Sequence, residues 1–342
     1  MRVRNPLRSL VRIVLLKAPI EAQLVVTRRC NLSCGYCTEY DHVSELIPLE
    51  IQKCRIDALH RLKFANITLL GGEPLLHPQI ADLVAHASAH AQVSITTNGF
   101  LLSDGLIRRL NDAGLSNMQV SIDAVHPETS GCIQKTLRSL APKLERLKRL
   151  ASFDTHVNIV LCESSMEQFE ALVHELGDLD LLVSVGLVHD ERGMVDVGGS
   201  DCLDLWDHLY GSSPSLSFIE YEYGRRLLQG QRPAWKCRAG ARYLYVDEYG
   251  KAQFCSAQRG RPDKPVLQYT KQDIRLHSDT YKGCEAGCSI FCVYRASQVD
   301  NAPLRLSRTT CEMLLRGLLH RAGRSLPQAR KAPWSLKKQP SS

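Results

Sequence analysis

A chain of 342 residues, 44% hydrophobic and 23% charged, has enough apolar material for one large domain and a smaller one, which excludes a disordered or fibrous polymer. Its net charge of +7 is uneven: residues 1–21 carry +4 and residues 303–342 carry +8, leaving the middle at −5. The basic character lies in two arms suited to an acidic surface, and no basic stripe interleaved with aromatic residues argues for nucleic acid as a partner.

In the first arm, 1–21, Leu7, Leu10, Val11, Val14 and Leu15 fall at helical spacing with Arg8, Arg12 and Lys17 on other faces. This predicts a short basic amphipathic helix, which either closes one end of the fold or makes a peripheral membrane contact. No run approaches the ~20 apolar residues of a spanning helix. The arm lacks the apolar core and small-residue cleavage site of a secretory signal, so a cytoplasmic location is expected. From Ala22 short apolar strands alternate with helices of ten to fifteen residues, the pattern of repeated βα units and a parallel sheet. Strands are predicted at Ala22–Thr27, Asn66–Leu70, Gln92–Thr97, Asn117–Ile122, His156–Leu161 and Leu181–Val188. Helices are predicted near Pro48–Leu62, Pro78–His90, Ser103–Ala113, Leu137–Leu150 and Ser165–Leu176.

Straight after the first strand stand Cys30, Cys34 and Cys37, at Cys-x3-Cys-x2-Cys. At this chain's cysteine frequency roughly 0.02 chance matches are expected, so the spacing reads as a metal site. Zinc needs a fourth ligand, for which His42 is the nearby candidate. Three thiolates on a four-iron cubane leave one iron open to a substrate. Three buried packing cysteines are the plain alternative. Thirteen cysteines, an odd number with several in tight spacings, fit metal ligation better than disulfides.

The motif, with Tyr36 just before its third cysteine, resembles the radical S-adenosylmethionine (SAM) superfamily. The resemblance extends to Gly71-Gly72-Glu73-Pro74 and to the order of elements from Ala22 to Asp190. It implies an α/β fold, a partial (β/α)6 barrel of the TIM type, with a small Cys-rich C-terminal extension. It also implies a [4Fe-4S] cluster on Cys30, Cys34 and Cys37 whose open iron chelates SAM, an electron donor such as flavodoxin or ferredoxin, and a 5′-deoxyadenosyl radical that takes hydrogen from the substrate. Glu73 is then expected to meet the methionyl amine, and Asn98 and Ser121 to lie near the ribose and methionine moiety. Gly71 and Gly72 permit close backbone approach. Such motifs belong at the carboxyl ends of barrel strands, where these fall. Asp123 and His126 are read as either pocket or loop residues, Arg28 and Arg29 as a carboxylate clamp or surface charge. Cys162 is read as a packing residue, and Cys54, Cys132 and Cys202 as structural.

Between Asp190 and Pro233 the periodicity weakens around Gly193, Gly198-Gly199 and 211–215, with short helical pieces at Cys202–Tyr210 and Phe218–Gln229. A boundary there divides a core, 22–200, from linker helices and a cluster extension, 201–302. Cys237, a hairpin from Tyr243-Leu244-Tyr245-Val246 to Ala252-Gln253-Phe254-Cys255, then Cys284, Cys288 and Cys292 follow. This part resembles the SPASM or shorter twitch extension that holds auxiliary iron–sulfur clusters, and a zinc ribbon is its alternative. Were Cys284 to Cys292 one straight helix, the outer two would be ~12 Å apart, so the segment must bend near Gly287 or leave one cysteine free. One auxiliary [4Fe-4S] cluster is expected, on Cys237, Cys255 and two of the last three, Cys288 and Cys292 being preferred. Residues 303–342 read as a second basic amphipathic helix, with Cys311 on its apolar face, and a tail. The expected function is radical SAM chemistry on a peptide or a cofactor or natural-product precursor. A lipid or membrane-associated substrate, and a non-catalytic iron–sulfur or zinc sensor or scaffold, are the alternatives.

Overall fold

The computed structural model describes residues 17–127, 134–179, 181–212 and 218–301. Both basic arms, apart from Lys17–Glu21, together with Cys132 and Cys311, lie outside them. Six parallel strands, β1 (Glu21–Thr27), β2 (Asn66–Gly71), β3 (Gln92–Thr97), β4 (Asn117–Ser121), β5 (Asp154–Leu161) and β6 (Leu182–Leu187), lie side by side in chain order. Between them run α1 (Leu49–Leu62), α2 (Ile80–Ser88), α3 (Asp104–Asp112), α4 (Leu137–Leu150) and α5 (Met166–Asp178). Side chains alternate across a strand, so one face carries Leu24, Val26, Ile67, Leu69, Ile95, Met118, Val157 and Ile159, each wholly buried. These pack with Ile56 and Leu59 of α1, Leu83 of α2, Leu110 of α3 and Leu172 of α5 in one continuous core. Each such side chain contributes about 1.5–3 kcal/mol by leaving water.

Helix starts follow local chemistry. Ser103 accepts from Leu106 N–H at 3.2 Å ahead of α3, and Thr136 accepts from Ser139 N–H at 3.4 Å ahead of α4. Lys63 takes a left-handed conformation, φ 73°, where α1 stops.

The sheet does not close. β7 (Tyr243–Val246) adds in parallel to the other side of β1, and β8 (Lys251–Gln253) and β9 (Pro262–Pro265) follow antiparallel, so the order is β6-β5-β4-β3-β2-β1-β7-β8-β9. The expected hairpin is present, and it extends the barrel sheet itself. α6 (Ser200–Ser212), α7 (Phe218–Leu228), α8 (Lys271–Asp279) and α9 (Phe291–Asn301) complete the described chain. Cys284, Cys288 and Cys292 do not share one helix: a single 3-10 turn at Glu285–Gly287 separates the first two, and Cys292 opens α9. No helix among the described residues is long and apolar enough to cross a membrane.

Candidate metal centre

The cysteine loop leaves the carboxyl end of β1 and is closed at its stem. Cys30 N–H donates to Asp41 O and Asp41 N–H to Arg28 O, each at 2.9 Å, and Cys37 N–H turns back to Cys34 O at 3.0 Å. Cys34 is buried and Cys30 and Cys37 are half-buried; burial is the first cause that pushes all three thiols above their ordinary pKa. The end of β2 is laid against this stem: Gly72 N–H donates to Thr27 O at 2.8 Å and Glu73 N–H to Arg29 O at 2.9 Å. Gly71 has φ +147°, and a Cβ there would stand 2.0 Å from Thr27 O. One on Gly72 would stand 2.3 Å from Arg28 O. The two glycines thus let the chain approach its own cysteine loop.

Glu73 is wholly buried. Its Oε1 accepts from Leu75 N–H at 2.9 Å and Thr97 Oγ1 at 2.8 Å, and its Oε2 from Asn98 N–H at 2.7 Å. Burial outweighs these bonds and raises its pKa to about 7. Pro74 begins a 3-10 turn, Pro74–Leu76, that Glu73 caps. Asn98, at the end of β3, donates from Nδ2 to Asn31 Oδ1 at 2.8 Å and lies 3.8 Å from Cys30 Sγ, so it braces the loop. Ser121 ends β4, half-buried, opposite Asn158.

Sequence reading missed the group that fixes Tyr36. Its hydroxyl donates to Asp123 Oδ2, whose carboxylate is fully buried, also receives Val160 N–H on Oδ1 at 3.0 Å, and pairs with Lys135 Nζ at 3.0 Å. The Lys135 ammonium lies 5.0 Å from the Tyr36 ring centre. Burial pulls the Lys135 pKa down, but Asp123 and then Cys34 outweigh it, so the cation is held above the usual lysine range beside the cysteine loop. Only the placement of β4 against the loop makes Lys135 a site residue, and no spacing signals it. Asp123 is thereby a structural hub, while His126 is tied by its N–H to Gln168 Oε1 at 2.8 Å on the surface.

The remaining expectations near the loop resolve simply. His42 has both ring nitrogens engaged, Nε2 with Ser33 Oγ at 2.9 Å and Nδ1 with Cys30 O at 3.0 Å. Arg28 pairs with Glu39 at 3.0 Å and approaches Glu248 at 3.8 Å, and Glu39 also receives Tyr245 Oη at 2.7 Å and Arg259 Nη2 at 2.8 Å. Arg28 thus ties the cysteine loop to the C-terminal hairpin. Cys162 and Cys202 are buried and Cys54 is exposed.

The second group of cysteines lies against the other face of β1, around Val25. Cys237, Cys255 and Cys288 are buried with Val25, Tyr243, Tyr245, Phe254 and Ile290. Burial, then Cys237 and Cys284, pushes the Cys255 thiol up to about 12. Cys288 is raised by burial and then by Cys255, Cys284 and Cys237. Cys237 rises to about 11, from burial first, with Cys284 adding to it. Cys292 packs against the same cluster; after burial, Glu21 and Tyr243 act most on its thiol. Cys284 adds to the rise of the Cys237, Cys255 and Cys288 thiols, and Cys292 packs against the cluster those three belong to, so both stand near the trio. Among the described residues no three His, Cys, Asp or Glu side chains converge at the spacing of a single metal ion.

Comparison with known proteins places this geometry in a class: residues 24–176 match the model of the radical SAM superfamily, and this part of the chain is a radical SAM domain. Among curated relatives, the chain is similar to a GTP 3′,8-cyclase of Chlorobaculum tepidum, 32% identical over 47% of this chain and 51% of the relative. It is also similar to a probable GTP 3′,8-cyclase of Methanopyrus kandleri, 30% identical over 46% and 53%. The chain spans between 33% and 59% of the length of the first such relatives. In fold it resembles Streptococcus suis SuiB bound to SAM, with a TM-score of 0.60, 16% identity, and 87% of this chain and 82% of that one covered. The likeness to anSMEcpe with bound AdoMet has a TM-score of 0.55 at 13% identity, covering 89% and 98%.

Proposed function

We propose that the chain is a radical SAM enzyme acting on a peptide or a cofactor or natural-product precursor, with Cys30, Cys34 and Cys37 holding a [4Fe-4S] cluster and SAM lying over it. The observation that supports this most is the joining of the three thiols, the buried Glu73 carboxyl, Asn98 and the Lys135 cation at the carboxyl edge of β1–β4. The donor set fits the group: three soft thiols on a loop with no engaged fourth side chain, since both nitrogens of His42 are used by the protein. When bound there, the cluster and SAM supply a 5′-deoxyadenosyl radical by one-electron reduction, from a donor such as flavodoxin or ferredoxin. The protein's own part is to orient. Glu73 presents a buried acceptor to the SAM ammonium, Lys135 presents positive charge to its carboxylate, and Tyr36, held by Asp123, keeps the loop in place. Anaerobic reconstitution with SAM and dithionite tests this by the appearance of 5′-deoxyadenosine; a reconstituted cluster without that product counts against the reading.

Glu73 gives a pH signature. With its carboxyl at about 7 in the ligand-free protein, lowering pH protonates it and removes the partner of the ammonium. SAM affinity should therefore rise with pH through about 7, and Glu73→Gln should weaken SAM binding by roughly tenfold and flatten that dependence. Calorimetric titration between pH 6 and 8 reads both. Unchanged affinity in the variant removes Glu73 from the SAM site.

For the extension, the reading is one auxiliary [4Fe-4S] cluster on Cys237, Cys255, Cys284 and Cys288, similar to the SPASM or twitch arrangement. Burial raises all four thiols, Cys284 adds to the rise of the other three, and no three of them stand at single-ion spacing, which favours a polynuclear cluster over zinc. Iron analysis after reconstitution should give about eight irons per chain, falling to about four in Cys284→Ala and staying at about eight in Cys292→Ala. The reverse pattern restores Cys292 as the ligand.

A further inference from the structure

Lys282 stands between α8 and the turn that follows Cys284, and it is only 4% exposed. Its Nζ donates to His277 O at 2.6 Å, to Thr280 O at 2.7 Å and to Cys237 O at 3.4 Å. Three peptide oxygens use all three N–H groups of an ammonium, whereas a neutral amine would turn its lone pair on one of them, so the group is a cation. Among the described residues its hydrogen-bond partners are all peptide oxygens, and no carboxylate pairs with it. Glu285, buried in the same turn, spends its two oxygens on the backbone N–H groups of Lys282 and Gly283, at 3.0 and 2.9 Å. Lysine is rarely this buried without an ion pair, because neutral carbonyls repay only part of its lost hydration.

Two of the three oxygens belong to the carboxyl end of α8, so a helix cap is the plain reading. It leaves the rest of the contacts unexplained. The third oxygen is the carbonyl of Cys237, the ammonium lies 4.8 Å from the centre of the Phe254 ring, whose chain neighbour is Cys255, and Cys284 follows two residues after Lys282. Cys237, Phe254, Cys255 and Cys288 pack in one cluster. One buried cation thus touches the segments of three cysteines. Arg261 also lies over Phe254, at 5.7 Å, but it is exposed, where water and salt screen it. Four thiolates on an iron–sulfur cubane are anionic in either redox state, and they answer a cation placed in this way.

We propose that Lys282 is the fixed counter-charge of the auxiliary site: it stabilises a thiolate-bound cubane there and favours the reduced, more negative form of that cubane. This rests on the auxiliary-cluster reading given above. Charge near a cluster and burial are two of the levers that set its potential, and Lys282 supplies both at once.

The test uses full-length protein carrying Cys34→Ala, so that after anaerobic reconstitution only the auxiliary cluster is read, by redox titration with electron paramagnetic resonance. Adding Lys282→Gln should shift the one-electron equilibrium toward the oxidised form by about tenfold, a midpoint potential about 59 mV lower. Lys282→Met should shift it equally, since both substitutions remove the charge while only the second removes every hydrogen bond. Lys236→Gln is the control: it takes away a cation next to Cys237 in the chain, but one that is 46% exposed and pairs with Asp279 at 2.6 Å, and it should leave the potential unchanged. Melting of the metal-free and filled forms separates a counter-charge from a helix cap. Loss of a cap lowers both alike, whereas loss of a counter-charge shrinks the rise in melting temperature on filling. An unmoved potential, an undiminished rise, or a shift in Lys236→Gln as large as that in Lys282→Gln overturns the proposal and leaves the auxiliary cluster standing. No iron in the Cys34→Ala protein overturns the auxiliary-cluster reading, and the proposal with it.

Discussion

Replacing Cys34 by alanine should bring 5′-deoxyadenosine formation to background while leaving the protein folded. The loop needs three thiols for its cluster, and Cys34 is the most buried of them, with Lys135 and Asp123 among the groups that set its pKa. The fold does not depend on it, because the core is made by the apolar face of β1–β6 and the helices over it. Loss of one small buried side chain should cost no more than about 1 kcal/mol. Circular dichroism should therefore give a near-native melt, with iron falling by about four per chain and the auxiliary cluster still present. Product formation retained by the variant sinks the assignment of this loop.

The largest loss of stability is expected at Gly71. An alanine there must adopt φ near +147° and place its Cβ 2.0 Å from Thr27 O, a backbone atom that cannot rotate away. Backbone strain and overpacking together should destabilise the protein by about 3 kcal/mol or more, lowering the melting temperature by roughly 4 °C or more. Since β2 and the cysteine stem would be pried apart, iron uptake should fall along with stability. Gly105→Ala is the control, because nothing lies within 4 Å of a Cβ at that position. A Gly71→Ala protein that melts with wild type and takes up full iron shows that the stem tolerates separation.

The strands were legible because each is a short apolar run between turn residues: all six core strands lie within two residues of their predicted bounds. The loop of Cys30, Cys34 and Cys37 was legible because ligand spacing is local. What escaped was set by tertiary placement. Lys135 has no motif and becomes part of the site when its ammonium meets Asp123 beneath Tyr36. α8 has no buried residue and hence no apolar stripe to read. Sequence spacing did not direct the bend of one 3-10 turn at Glu285–Gly287 between Cys284 and Cys288. Glycine was read correctly as a mark of close approach at Gly71-Gly72, yet the atoms approached belong to the protein's own backbone.

β7 joins the sheet along the flank of β1, so the strand that launches the cysteine loop finds its second neighbour more than two hundred residues further on. During synthesis that flank stays open until Tyr243–Val246 has left the ribosome, long after the six-stranded unit can assemble. An uncovered strand edge is a template for pairing with another chain. A fragment ending before Tyr243 should accordingly self-associate through β1, and the hairpin that follows Cys237 serves the nascent protein as a guard against that fate before it serves any cluster.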